Sequence, residues 1–168
     1  MAITQITAEP AVPQLIVTSE FAAPQDLLFR AYTDPELLVQ WLGPRGLALT
    51  VDHIDTRHAG TWRYIGSDAD GGKYTFRGVF HGTPSPDGII QTLEFDGMPG
   101  QVCLQTITFT ELGDTTMVTQ NTVYQSAQHR DQALRFDMAE DINDSIERLE
   151  QLLTRLVQER TATPIQPA

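Results

Sequence analysis

Residues 126–158, SAQHRDQALRFDMAEDINDSIERLEQLLTRLVQ, decide the fold. Large apolar side chains recur at Leu134, Met138, Ile142, Ile146, Leu149, Leu153 and Leu156, with Leu152 and Val157 beside them. These 3,4 spacings put them on one stripe of a helix whose other faces are charged. No Gly or Pro interrupts the run. Ser126 can cap its start by accepting from first-turn N–H groups, and Pro164 lies beyond its end. At 1.5 Å per residue the helix would span roughly 45 Å, enough to cross a small domain. Its stripe must be buried against a surface that the rest of the chain supplies.

That surface reads as a sheet. Upstream of the helix, strand-like runs at 47–56, 60–66, 73–83, 88–95, 101–111 and 115–124 are separated by hairpin-length breaks rich in Gly, Pro and Asp. Sequential hairpins imply an antiparallel meander. A further run at 14–21 alternates Leu15, Val17 and Ser19 against Ile16, Thr18 and Glu20, as a strand does. Between it and the meander, Pro24, Leu27, Leu28, Ala31 and Tyr32 read as one short helix, and the segment from Asp34-Pro35 to Trp41 as a second. The expectation is an α+β fold: strand, two short helices, six strands, long helix. Seven strands in one curled antiparallel sheet would be closed by the helix. Residues 1–13 and 159–168, each with two prolines and no sustained period, read as flexible tails around a single domain at 14–158.

Composition narrows the function. The chain has 168 residues, 40% of them hydrophobic, which suits one domain with a real core. Lys and Arg total 11 against 22 Asp and Glu, and the net charge of −11 argues against nucleic acid or an anionic membrane surface as partner. Cys103 is the lone cysteine, which excludes an intrachain disulfide. No secretory leader and no run of about 18 apolar residues is present, so a cytoplasmic protein without membrane insertion is expected, as monomer or homodimer.

No local motif supports a known catalytic machinery. His129-Arg130-Asp131 copies a protein-kinase tripeptide but lacks the glycine-rich loop and strand lysine that it needs, and Phe95-Asp96-Gly97 sits upstream of it. Asp68-Ala69-Asp70-Gly71 begins like a calcium loop without its later ligands and reads as a hairpin tip. Neither a G-x-S-x-G elbow nor a phosphate-binding G-x-x-x-x-G-K-[ST] occurs, and His53, His58 and His81 lack metal-ligand spacing. No cofactor or metal is expected.

The aromatic residues carry more. Trp62 and Tyr64 share one face of their run, Tyr74, Phe76 and Phe80 share one face of the next, and Trp41 ends the second short helix. Such side chains either fill the core or line a ligand pocket between sheet and helix. On the second reading the lining is Trp41, Trp62, Tyr64, Phe76, Phe80 and Phe95 from the front of the chain, with Phe136, Met138 and Ile142 from the helix. Arg63, His81, Glu94 and Thr106 are the polar candidates, although alternation puts Arg63 on the face opposite Trp62.

Several strings resemble a known family. Asp34-Pro35-Glu36 leading to Trp41, the 55–64 segment with Asp55, Arg57, Gly60 and Trp62-Arg63-Tyr64, Phe76-Arg77-Gly78-Val79-Phe80-His81, and Phe95 with Gly97-Met98-Pro99-Gly100 form the first part of the match. Gln125-Ser126, Arg130-Asp131, Met138 and Arg148-Leu149 continue it. Together they are similar to the SRPBCC, or START-like, superfamily, and within it to the activator of Hsp90 ATPase homologue 1-like (AHSA1-like) bacterial domains. The resemblance covers about residues 14–156. It implies a helix-grip (Bet v 1-like) fold with a cavity that holds a small hydrophobic or aromatic ligand. It also brings two alternatives: an aromatase/cyclase-type enzyme acting on a polyketide-like substrate through Arg63, His81 or Glu94, and a co-chaperone partnered by an Hsp90-type chaperone. Where this group carries Ser-Gly before the Met and a Gly one turn on, this chain has Phe136, Asp137 and Asp141.

Overall fold

Every second side chain of Gln14–Phe21 is buried, as the alternation of its sequence requires, and the strand lies near one edge of an antiparallel sheet. The structure is a computed structural model describing residues 2–135 and 138–163. Its elements are β1 (Ile3–Thr7), β2 (Gln14–Phe21), α1 (Gln25–Thr33), α2 (Pro35–Leu38), β3 (Ala48–Ile54) and β4 (Thr61–Ser67). They continue with β5 (Lys73–Val79), β6 (Gly88–Phe95), β7 (Val102–Leu112), β8 (Thr115–Val123), α3 (Ala127–Leu134) and α4 (Met138–Ala162). The strand order is β1-β2-β8-β7-β6-β5-β4-β3, so the meander β3–β8 is intact and β2 closes onto β8.

Two expectations are corrected. The sheet has eight strands rather than seven, because residues 3–7 pair with β2 from Ile3↔Glu20 to Thr7↔Ile16. The run is too short and too polar to read as a strand by itself. Its partner holds it, through the backbone ladder, the Thr4–Ser19 hydroxyl pair at 3.1 Å and Ile6 packed on the Leu15–Val17 cluster. The expected flexible tail at 1–13 is therefore in part an edge strand. At the other end α4 runs to Ala162, past the expected boundary at 158.

The second correction is that the expected single helix is two, α3 and α4. Ser126 caps α3, accepting from the His129 N–H at 3.0 Å. From Ile142 onward the apolar stripe belongs to α4, whereas α3 packs Leu134 on the cluster around Leu15 and turns Arg130 inward. Arg130 is 3% exposed, and its guanidinium donates to the carbonyls of Glu9 and Val12, so α3 holds the β1–β2 connection against the domain.

Burial along α4 is graded. Leu149, Leu152, Leu153 and Leu156 are buried with Leu27, Leu28, Trp62, Phe80 and Phe109 in the main core, and each such side chain contributes about 1.5–3 kcal/mol. Ile142 and Ile146, two turns earlier on the same stripe, are only half-buried. A second, smaller cluster of Leu15, Val17, Cys103 and Tyr124 packs beside that end. An Arg160–Asp26 ion pair at 2.7 Å ties the end of α4 to α1.

Candidate functional site

A pocket of about 300 Å³ draws its lining from both core clusters and from the half-buried end of α4. Strand alternation builds its floor. Leu15, Val17, Ser19 and Phe21 come from the inner face of β2, and Phe76, Leu93, Cys103 and Gln105 from β5, β6 and β7. The inner face of β8 adds Val118, Gln120 and Thr122, and Tyr124 follows at the same period. Asp141, Ile142, Ser145 and Ile146 face this floor from α4, so the gap occupies the stretch where the helix stripe leaves the main core.

The side wall comes from the two short helices. Trp41 is held by its Nε1–H donating to the Ala31 carbonyl at 3.0 Å and by Tyr32, whose ring centroid is 4.7 Å away. Tyr32 in turn packs edge-on against Phe109 at 5.3 Å. Gly43, whose φ of +92° suits glycine, turns the chain after Trp41 so that its carbonyl meets α4. That oxygen accepts from Ser145 Oγ at 3.0 Å and from Arg148, while Arg45 and Arg148 both pair with Asp144, at 2.6 and 3.0 Å. Gly43 and Ser145 line the pocket, so this clasp is part of its wall.

The lining is mostly apolar, and Asp141 is its one ionic side chain. Burial pushes the Cys103 thiol up to about 11 and the Tyr124 hydroxyl up to about 12, and raises the Tyr32 hydroxyl well above its ordinary range. Tyr32 is deep in the fold yet keeps accessible surface, because it borders the pocket. Gln91 donates to Gln105 at 2.9 Å and Gln105 to Thr122 at 3.3 Å, a side-chain chain across β6, β7 and β8.

Of the residues singled out from sequence, Trp41, Phe76 and Ile142 line this pocket. Trp62, Tyr64 and Phe80 do not: they are buried in the main core, with Trp62 and Tyr64 stacked at 4.5 Å. Phe95 stacks behind Phe76 at 5.0 Å. Phe136 and the side chain of Met138 lie outside the described residues.

None of the four polar candidates lines this pocket. Arg63 pairs with Asp52 at 3.4 Å on the outer face, and Glu94 faces Arg77 at 3.6 Å and accepts from the Gly100 N–H at 2.6 Å. His81 is exposed beyond β5, and Thr106 shares the outer register with Ile90 and Asn121. Arg63 and Glu94 instead border an outer-face depression with His53 and Arg77. The calcium-like Asp68 caps its own hairpin, accepting from the N–H groups of Asp70 and Gly72 and from the Tyr74 hydroxyl. Among the described residues no group of three His, Cys, Asp or Glu could hold a metal, and no helix is long and apolar enough to cross a membrane.

The sequence reading missed the β2, β7 and β8 lining because it followed aromatic residues. The signal available was alternation: Val118, Gln120, Thr122 and Tyr124 share one face of a strand whose neighbours are apolar.

The same architecture recurs in known proteins. The profile described as Activator of Hsp90 ATPase homolog 1-like protein matches residues 22–154. The chain belongs to this family. No curated protein matches it. A Rhodobacter sphaeroides protein superposes with a TM-score of 0.83 at 23% identity, over 91% of this chain and 99% of its own. A Mycobacterium smegmatis protein gives 0.79 at 26%, over 93% and 99%. CalU16 from Micromonospora echinospora gives 0.59 at 17%, over 95% and 93%. In this AHSA1-like protein these likenesses show an α+β fold of a curved antiparallel sheet and a C-terminal helix, consistent with the helix grip.

Proposed function

We propose that this protein binds a small apolar or aromatic ligand in the pocket between the concave face of the sheet and the first turns of α4. The observation that carries this reading is the graded burial of α4. The helix is close-packed from Leu149 onward and leaves about 300 Å³ of mostly apolar and aromatic lining beside Ile142 and Ile146. Membership of a family whose superfamily commonly takes hydrophobic ligands supports it. Simple binding is favoured over the aromatase/cyclase reading, because Arg63 and Glu94, two of the residues that reading relied on, are paired on the outer face.

Titration with Nile red, a neutral fluorophore, tests the proposal, with Ile142→Trp as the control that fills the gap from the helix side. Saturable enhancement in the wild type and its loss in a variant of unchanged circular dichroism is the expected result. Equal enhancement in both proteins refutes the assignment of the site.

A further inference from the structure

Three successive inner positions of β8 and its extension, Gln120, Thr122 and Tyr124, are polar, and with Ser19 and Gln105 they form a polar stripe in a lining that is mostly apolar. Successive same-face residues are roughly 6.7 Å apart, so the three span about 13 Å along the pocket floor. Thr122 accepts from Gln105, which accepts from Gln91, so those groups are satisfied within the protein. The Gln120 amide and the hydroxyls of Tyr124 and Tyr32 have no hydrogen-bond partner among the described residues, yet they border the pocket. Polar groups left so within a fold are satisfied by water or by a ligand.

Charge is the second observation. The described lining includes no Lys, Arg or His; its one ionic side chain is the Asp141 carboxylate, on a chain of net charge −11. Arg45 and Arg148 stand nearby, but both are committed to Asp144. Arg130, behind Tyr124, is committed to Glu9, Val12 and Asp131. An anionic head group in this pocket would lose its water and gain no cation.

Resting on the binding function proposed above, we infer that the ligand is an uncharged, oxygen-bearing apolar molecule. Its hydroxyl or carbonyl groups lie along the β8 stripe and pair with Gln120, Tyr124 and Tyr32, and carboxylate-bearing molecules such as fatty acids are rejected. The raised Tyr124 hydroxyl stays a neutral donor at physiological pH, in keeping with this. An amide offers both donor and acceptor, so the stripe accepts ketones and alcohols alike.

A matched ring series tests the inference: naphthalene, 2-naphthol and 2-naphthoate at pH 7, followed by amide and methyl shifts of Leu93, Ile142 and Ile146. The expected order is 2-naphthol tightest, naphthalene weaker, and 2-naphthoate weaker than 2-naphthol by about tenfold or more. Gln120→Arg supplies the missing cation and is expected to turn the order toward 2-naphthoate, and Asp141→Asn to narrow the gap without inverting it. Wild-type binding of 2-naphthoate as tight as that of 2-naphthol overturns the charge inference and leaves the pocket a binding site. If none of the three compounds shifts these residues, the binding function itself fails and this inference with it.

Discussion

Arg130→Met isolates the contact that holds the first strand in place. The guanidinium is buried and donates to the carbonyls of Glu9 and Val12, while its acidic partner Asp131 is half-exposed at 2.8 Å. Hydrogen bonds from a charged donor are worth about 1.5–3 kcal/mol each, but the two share one group and are not additive. The exposed ion pair adds at most about 1 kcal/mol. Methionine keeps much of the volume and removes every donor, so the net loss is about 3 kcal/mol. With a urea slope of about 1–3 kcal/mol per molar, the unfolding midpoint falls by about 1–3 M at unchanged slope. Arg130→Lys keeps the charge without the fork and loses about half as much. Hydrogen exchange separates this mechanism from a general loss of packing. Amides of β1 and the 9–14 segment lose protection before those of β7 and β8. A destabilisation below about 0.5 kcal/mol with β1 protection unchanged would refute the reasoning.

Two further outcomes are expected. A Cβ on Gly78 would lie 1.9 Å from the Thr92 carbonyl oxygen and 2.6 Å from the Trp62 ring, so Gly78→Ala must displace backbone and costs about 3 kcal/mol. Calorimetry should show a fall of about 6–12 °C in Tm, and a change within 2 °C contradicts the crowding. Cys103 is buried, and its thiol is raised from 9.0 to about 11. At pH 8 the native thiolate is about 100-fold scarcer than the unfolded one, so iodoacetamide reacts at least that much more slowly with the native protein. Because the folded value is the higher, the stability that this thiol contributes is complete below pH 9 and is lost as pH rises through 11. Cys103→Ala should flatten that alkaline limb, measured by urea unfolding from pH 8 to 11, and an unchanged limb disproves the attribution.

The periodic elements were legible because one strong pattern specified each of them. The run at 14–21 is β2 to the residue, and those at 88–95 and 115–124 match β6 and β8 within one. The site was legible at Trp41 and Phe76 through an aromatic signal and at Ile142 through the helix stripe. Trp62, Tyr64 and Phe80 carry the same aromatic signal, but they sit opposite the tightly packed half of α4 and fill core.

By itself the sequence determined the fold class, the order of the elements from β2 to β8 and the amphipathic stripe of the last helix, because periods of two and 3.6 residues are local properties of the chain. It also determined the net charge of −11, since charge is a sum over residues. Tertiary structure decided the rest. β1 exists because β2 offers an open edge for its backbone to pair with. α3 brings Arg130 to carbonyls about 120 residues earlier in the chain, a contact that no local pattern encodes. The pocket arises where the stripe of α4 leaves the main core beside β8, a matter of how two surfaces diverge rather than of what either one contains.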